Sequence, residues 1–167
     1  MALLDTLRSR GLPQATYLLR AVPSLELRAA QRAAEQAQAQ LREAEANRTV
    51  TTERRRAARE ATDRLHACFT ALTIRAMLPD ELEALIGEHK PTDDDRDGAI
   101  FHHKTFMPAL LGQCVFESPD APEPAMTADQ WNVEISKGSM SLGEVGHLFA
   151  ACWEINDRSP DPDLPKG

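Results

Sequence analysis

Aromatic residues make up only 5% of the 167 positions. A large sandwich or barrel core draws on more of them, so the shortage points to Leu and Ala packing between helices. Long apolar runs are missing as well, and nothing approaches the roughly 20 consecutive apolar residues that span a bilayer. Met1 to Leu12 carries Arg8 and Arg10 without the apolar centre and small-residue cleavage site of a secretory leader. A cytoplasmic location and no membrane partner are therefore expected. The three cysteines, Cys68, Cys114 and Cys152, are odd in number and far apart among apolar neighbours, which argues against a disulfide framework and for reduced, partly buried thiols. The eight glycines are scattered, with Gly138 and Gly143 spaced for turns, so no glycine loop that cradles phosphate is present.

Gly and Pro are absent from Ser24 to Ala46, where Ala, Leu, Gln, Glu and Arg dominate and favour helix throughout. Asn47 to Thr52 interrupts, and Thr51 or Thr52 is placed to cap a second helix from Glu53 to about Leu65, which makes an antiparallel hairpin. Its apolar face reads as Ala29, Ala30, Ala33, Ala37, Leu41 and Ala44, small residues that permit close approach and bury little area each. Ala15 to Val22 is rich in strand formers and stops at Pro23, with Ser24 placed to cap the first helix. Phe69 to Leu78 alternates, with Leu72, Ile74, Ala76 and Leu78 on one face and Thr73 and Arg75 on the other. The hairpin brings these two segments together as paired strands; one continuous helix over 53–78 is the alternative.

Beyond Pro79 the pattern changes to short capped helices. Asp80 to Glu83 resembles a capping box for a helix ending at Gly87, and an acidic loop, Thr92 to Gly98, follows. Phe101, Phe106, Leu110, Leu111, Cys114 and Val115 fall at helical spacing, with Pro108 in the first turn. Thr127-Ala128-Asp129-Gln130 and Ser141-Leu142-Gly143-Glu144 are capping boxes, opening helices from about Ala128 to Ser136 and from about Leu142 to Asn156. Phe106, Leu110, Leu111, Trp131, Val145, Leu148, Phe149 and Cys152 are expected to share one core.

The expected fold is mainly α with a minor β part: strand, long antiparallel helical hairpin, strand, then a small C-terminal helical bundle. Its segments are an N-terminal extension 1–14, the strand, hairpin and strand unit 15–78, a short helix and acidic loop 79–98, a helical module 99–157, and a mobile tail 158–167.

Charge divides unevenly. Residues 1–78 hold 13 Arg against 8 Asp and Glu, a net +5, and residues 79–167 hold 6 Lys and Arg against 18 Asp and Glu, a net −12. The Arg54-Arg55-Arg56 cluster has Glu53, Glu60 and Asp63 interspersed and no aromatic for base stacking, so it reads as a solvated helix face and not a nucleic-acid patch. The acidic loop lacks the bidentate Glu that closes a twelve-residue calcium loop, since Lys104 stands there if Asp93 is first. His66, Cys68, His102 and His103 lack the paired knuckles of structural zinc. Cys114 or Cys152 with His102, His103 or His147 has no nucleophile signature around it. No catalytic residue, metal or cofactor is expected.

Taken in order, these features resemble the tail assembly chaperones of long-tailed (siphovirus-type) phages and prophages of actinobacteria. The resemblance runs through Ala76-Met77-Leu78-Pro79, His89-Lys90-Pro91, Phe106-Met107-Pro108-Ala109-Leu110-Leu111, Met126 to Trp131, and Leu148 to Asn156. It covers roughly Tyr17 to Asn156 and rests on packing and capping residues. It implies a non-enzymatic helper that binds the long, helical, aggregation-prone tape measure protein and keeps it soluble. Such a helper recruits tail tube subunits around the tape measure protein and is absent from the finished virion; a homo-oligomer is compatible with this. A permanent virion subunit, such as a connector or tail-completion protein, is the alternative. Under the chaperone reading, Leu25, Leu41, Leu72 and Ile74 are expected to lie near a groove that receives the tape measure protein.

Overall fold

A computed structural model describes residues 11–157. The first ten residues of the N-terminal extension and the tail 158–167 lie outside the described residues. In chain order the elements are β1 (Gln14–Arg20), α1 (Ser24–Ala46), α2 (Thr52–His66), β2 (Phe69–Arg75), α3 (Pro79–Glu88), α4 (His103–Cys114), β3 (Val115–Phe116), α5 (Ala128–Lys137) and α6 (Leu142–Asp157). The three strands form one sheet in the order β1-β2-β3. β2 and β3 pair antiparallel, with Thr73 opposite Phe116 and Ile74 opposite Val115. Amide-to-carbonyl bonds from Ala21 to Cys68 (2.8 Å) and from Ala76 to Pro13 (2.9 Å) flank the β1/β2 pair and give it the antiparallel sense. The mainly helical fold with strands flanking a hairpin is thus as expected, and α2 stops at His66, which excludes one continuous helix over 53–78.

The chain divides into two compact units, residues 18–71 and the remainder, with the boundary inside β1 and β2. In the first unit α1 and α2 pack as a hairpin. The residues of α1 turned inward are Leu27, Ala30, Ala34, Ala37, Leu41 and Ala44, a seam that advances in alternating steps of three and four as in paired helices. Across from them α2 offers Ala58, Ala61, Thr62 and Leu65. Ala29 and Ala33 are exposed, which corrects the expected face: Ala is so frequent in α1 that composition alone does not fix its phase. Neither expected N-cap forms. Pro23 precedes α1 and Thr51 precedes α2, each without a side-chain capping bond. The turn after α1 closes through Asn47 N–H to Glu43 C=O (3.0 Å) and Thr49 N–H to Ala44 C=O (3.0 Å). Arg48 sits between them with φ of 52°, a left-handed position that usually takes Gly.

The second unit holds a conventional core. Phe106, Leu110, Leu111, Trp131, Val145, Leu148 and Cys152 are all buried, as expected. Phe149 is only half-buried and instead lies edge-on to Phe101 and Phe106 at centroid distances of 6.1 and 6.2 Å. Both capping boxes form. Thr127 N–H donates to Gln130 Oε1 (2.8 Å), and Ser141 N–H donates to Glu144 Oε2 (2.9 Å). Gly138 ends α5 in the left-handed region at φ 74°. In α3 the cap lies two positions earlier than Asp80 to Glu83, and only its Glu half forms, with Leu78 N–H donating to Glu81 Oε2 at 3.1 Å.

Three departures have physical causes. Pro108 lies inside α4 and not in its first turn, buried among apolar neighbours, where burial outweighs the lost amide bond to Lys104. Val115 leaves the helix to form β3 with Phe116, and its carbonyl accepts Ala125 N–H at 2.8 Å. Thr73 is 5% exposed, so β2 is covered on both faces from Leu72 to Ile74, although Thr70 and Ala71 stay exposed, and Leu78, past the strand, is 50% exposed. A Cβ added at Gly112 would come within 2.7 Å of the Ala128 amide nitrogen, so glycine is what lets α4 approach the start of α5.

Candidate partner-binding surface

The hairpin carries a shallow groove of about 430 Å³ whose floor is mostly methyl groups: Ala29, Ala30 and Ala33 from α1 with Ala61 and Ala67 from α2 and its end. Glu26 marks one rim and Arg64 the other. Cys68 closes the end, its thiol donating to Arg64 C=O at 3.3 Å. Small side chains arise here because Ala is the residue of highest helix propensity, and a seam built from it leaves neighbouring positions shallow too. A floor of this kind admits another helix at close interaxial distance.

The four residues expected to line one partner groove do not come together. Leu25 is 74% exposed at the start of α1. Leu41 is half-buried in the seam against α2, sixteen residues or roughly 24 Å further along the helix. Leu72 and Ile74 are 8% and 1% exposed, so they belong to the core and not to a surface. Their correction follows from the covered sheet: alternation in β2 marks a strand, whereas burial of Thr73 between them shows that neither face is open. Ala29 and Ala33, turned outward, replace them as groove residues.

Two polar side chains that sequence reading passed over organise the second unit. Asn156 Oδ1 accepts Met77 N–H at 2.7 Å, and its Nδ2 donates to Cys152 C=O at 2.7 Å and reaches Cys114 Sγ at 3.4 Å. Arg75 donates from Nη2 to the carbonyls of Pro119 and Ala121 and lies 3.9 Å above the Phe116 ring centre. Each is a single residue acting across 40 or more positions, so no local spacing betrays it.

The cysteines are free and buried. A hydrogen bond to Cys114, with burial, pushes the Cys152 thiol up, which opposes thiolate formation there near neutral pH. In the acidic loop, Asp95 accepts from Thr92 N–H (2.7 Å), Thr92 Oγ1 (2.9 Å) and the His102 ring (2.8 Å). The Thr92 amide first, then His102, holds its carboxyl down to about 2. His102 is therefore a loop anchor, half-buried, and its neighbour His103 stacks on Phe101 at 6.4 Å. Among the described residues no group of three or more His, Cys, Asp or Glu converges as metal ligands would, and no helix is long and apolar enough to cross a membrane.

Comparison with protein-family models, with curated proteins and with solved structures gives no match.

Proposed function

We propose that this chain is a non-enzymatic tail assembly chaperone of a long-tailed phage or prophage, working in the cytoplasm of the bacterial host. It binds the tape measure protein, keeps that long helical chain soluble, and recruits tail tube subunits around it. The reading rests on the order of sequence features that resembles such chaperones. The observation that supports it most is the methyl-floored groove on a charged hairpin, with Leu25 exposed one position before Glu26 of its rim. A helical partner with an apolar stripe would lay that stripe along Ala29 and Ala33, with polar neighbours meeting Glu26 and Arg64 at the rims.

The test is coexpression of the tape measure protein with the wild type and with Ala33→Glu. That side chain faces solvent, so the change alters the groove and spares the seam. The proposal expects the wild type to hold the tape measure protein in the soluble fraction and the variant to lose most of it while keeping its helical circular dichroism. A wild type that leaves the partner insoluble would overturn the proposal, and equal rescue by both would remove the groove from it.

A further inference from the structure

The second unit carries a pocket of about 660 Å³ between the acidic loop and the aromatic end of α6, lined by Asp94, Asp95, Arg96, Ile100, Phe101, His103 and Trp153 among others. Its floor is preformed. Phe101 stacks on buried Phe106 at 4.0 Å and lies 5.3 Å from Trp153, so the rings are held before anything binds and little ordering is needed on contact. Ile100 stands 56% exposed among the lining residues, Asp94 is exposed with it, and Asp93 and Asp97 are exposed neighbours in the same loop, which holds four Asp against the single Arg96. A rigid aromatic floor with a carboxylate rim selects a cation beside a small apolar group.

The hairpin tip presents that combination. Val50 is 84% exposed, more than any other large apolar residue among the described ones, and Arg48 is exposed two positions before it. Arg48 holds a left-handed backbone at φ 52°, where Gly would fit without strain, and is exposed at the same turn as Val50.

We propose that the hairpin tip of one copy docks into the aromatic pocket of another, with Val50 against Ile100 and Arg48 over the Phe101 and Trp153 rings, facing Asp94 and Asp97. The contact joins unlike surfaces. Each copy therefore keeps one tip and one pocket for further copies, unless two copies engage each other reciprocally.

The experiment measures molar mass of the full chain by light scattering up to about 1 mM, where association weaker than that would leave monomers. A tip variant, Arg48→Gly with Val50→Ser, and a pocket variant, Asp94→Asn with Asp97→Asn, are measured alone and mixed. Arg48→Gly relaxes a strained position, so a loss of association there does not report unfolding. Wild-type mass should rise with concentration and fall when salt is raised from about 0.05 M to about 0.5 M. Each variant alone should bind itself about tenfold or more weakly. Their mixture should regain a one-to-one dimer, because the pocket variant keeps its tip and the tip variant keeps its pocket. A wild type that stays monomeric, a variant that associates as the wild type does, or a mixture that stays monomeric would each overturn the proposal.

Discussion

The two units solve the same problem, covering apolar surface, with different residues. The hairpin closes on Ala30, Ala34, Ala37, Ala44, Ala58 and Ala61, whereas the second unit closes on Phe106, Leu110, Leu111, Trp131 and Leu148. A buried methyl-sized group contributes about 0.8 kcal/mol, and a fully buried Leu or Phe about 1.5–3 kcal/mol. The hairpin thus gains its order chiefly from helix propensity and a close seam, and the second unit from bulk packing. The hairpin is left with a shallow methyl-floored groove, and the second unit with a filled core whose aromatic edge borders a separate pocket.

The largest test of this contrast is in the second unit. Phe106 is fully buried and touches Phe101, Phe149 and Trp153, so Phe106→Ala should destabilise by about 3–5 kcal/mol in a denaturant titration. A loss below about 1 kcal/mol would mean that this core is loose. Next comes Gly112→Ala, which forces a methyl to 2.7 Å from the Ala128 backbone and should cost about 1–3 kcal/mol in the same titration, although alanine is the better helix former. On the hairpin the scale should drop. Ala44→Gly, at a position 1% exposed, removes one methyl and adds backbone freedom for about 1–2 kcal/mol, mostly propensity. An effect as large as that of Phe106→Ala would break the comparison.

The smallest effect concerns the acidic loop and depends on pH. The Asp95 carboxyl is held below its ordinary 3.8, at about 2, by the Thr92 amide and His102, so its folded pKa lies under its unfolded one. Its contribution is therefore present above pH 3.8 and is lost as pH falls through about 2. Chemical denaturation of wild type and Asp95→Asn should differ near pH 5 and converge as the pH approaches 2; a constant difference across that range would show that the carboxylate charge is not what organises the loop.

How much of this was legible follows from where the information lies. Capping boxes at Thr127 and Ser141 are four-residue signals, and both form as read. The span Ser24–Ala46 was legible because no Gly or Pro interrupts it. Its phase was not, because a helix with Ala on several faces has no apolar stripe to mark the buried one, and Ala29 and Ala33 were placed inside when they face out. In β2 the alternation located the strand but not the cover on its second face, which left Leu72 and Ile74 assigned to a surface they do not reach. Asn156 and Arg75 act on carbonyls and amides distant in sequence, and only the folded chain brings those together.

Hydrogen exchange resolved by segment, with and without an apolar helical fragment of the tape measure protein, tests the central claim most directly. In the free chain the amides of residues 24–66 should exchange through lower-energy openings than those of α4 and α6, and the fragment should slow them while leaving α4 and α6 unchanged. Equal protection of both units in the free chain, or slowing confined to residues 103–157 when the fragment binds, would contradict it.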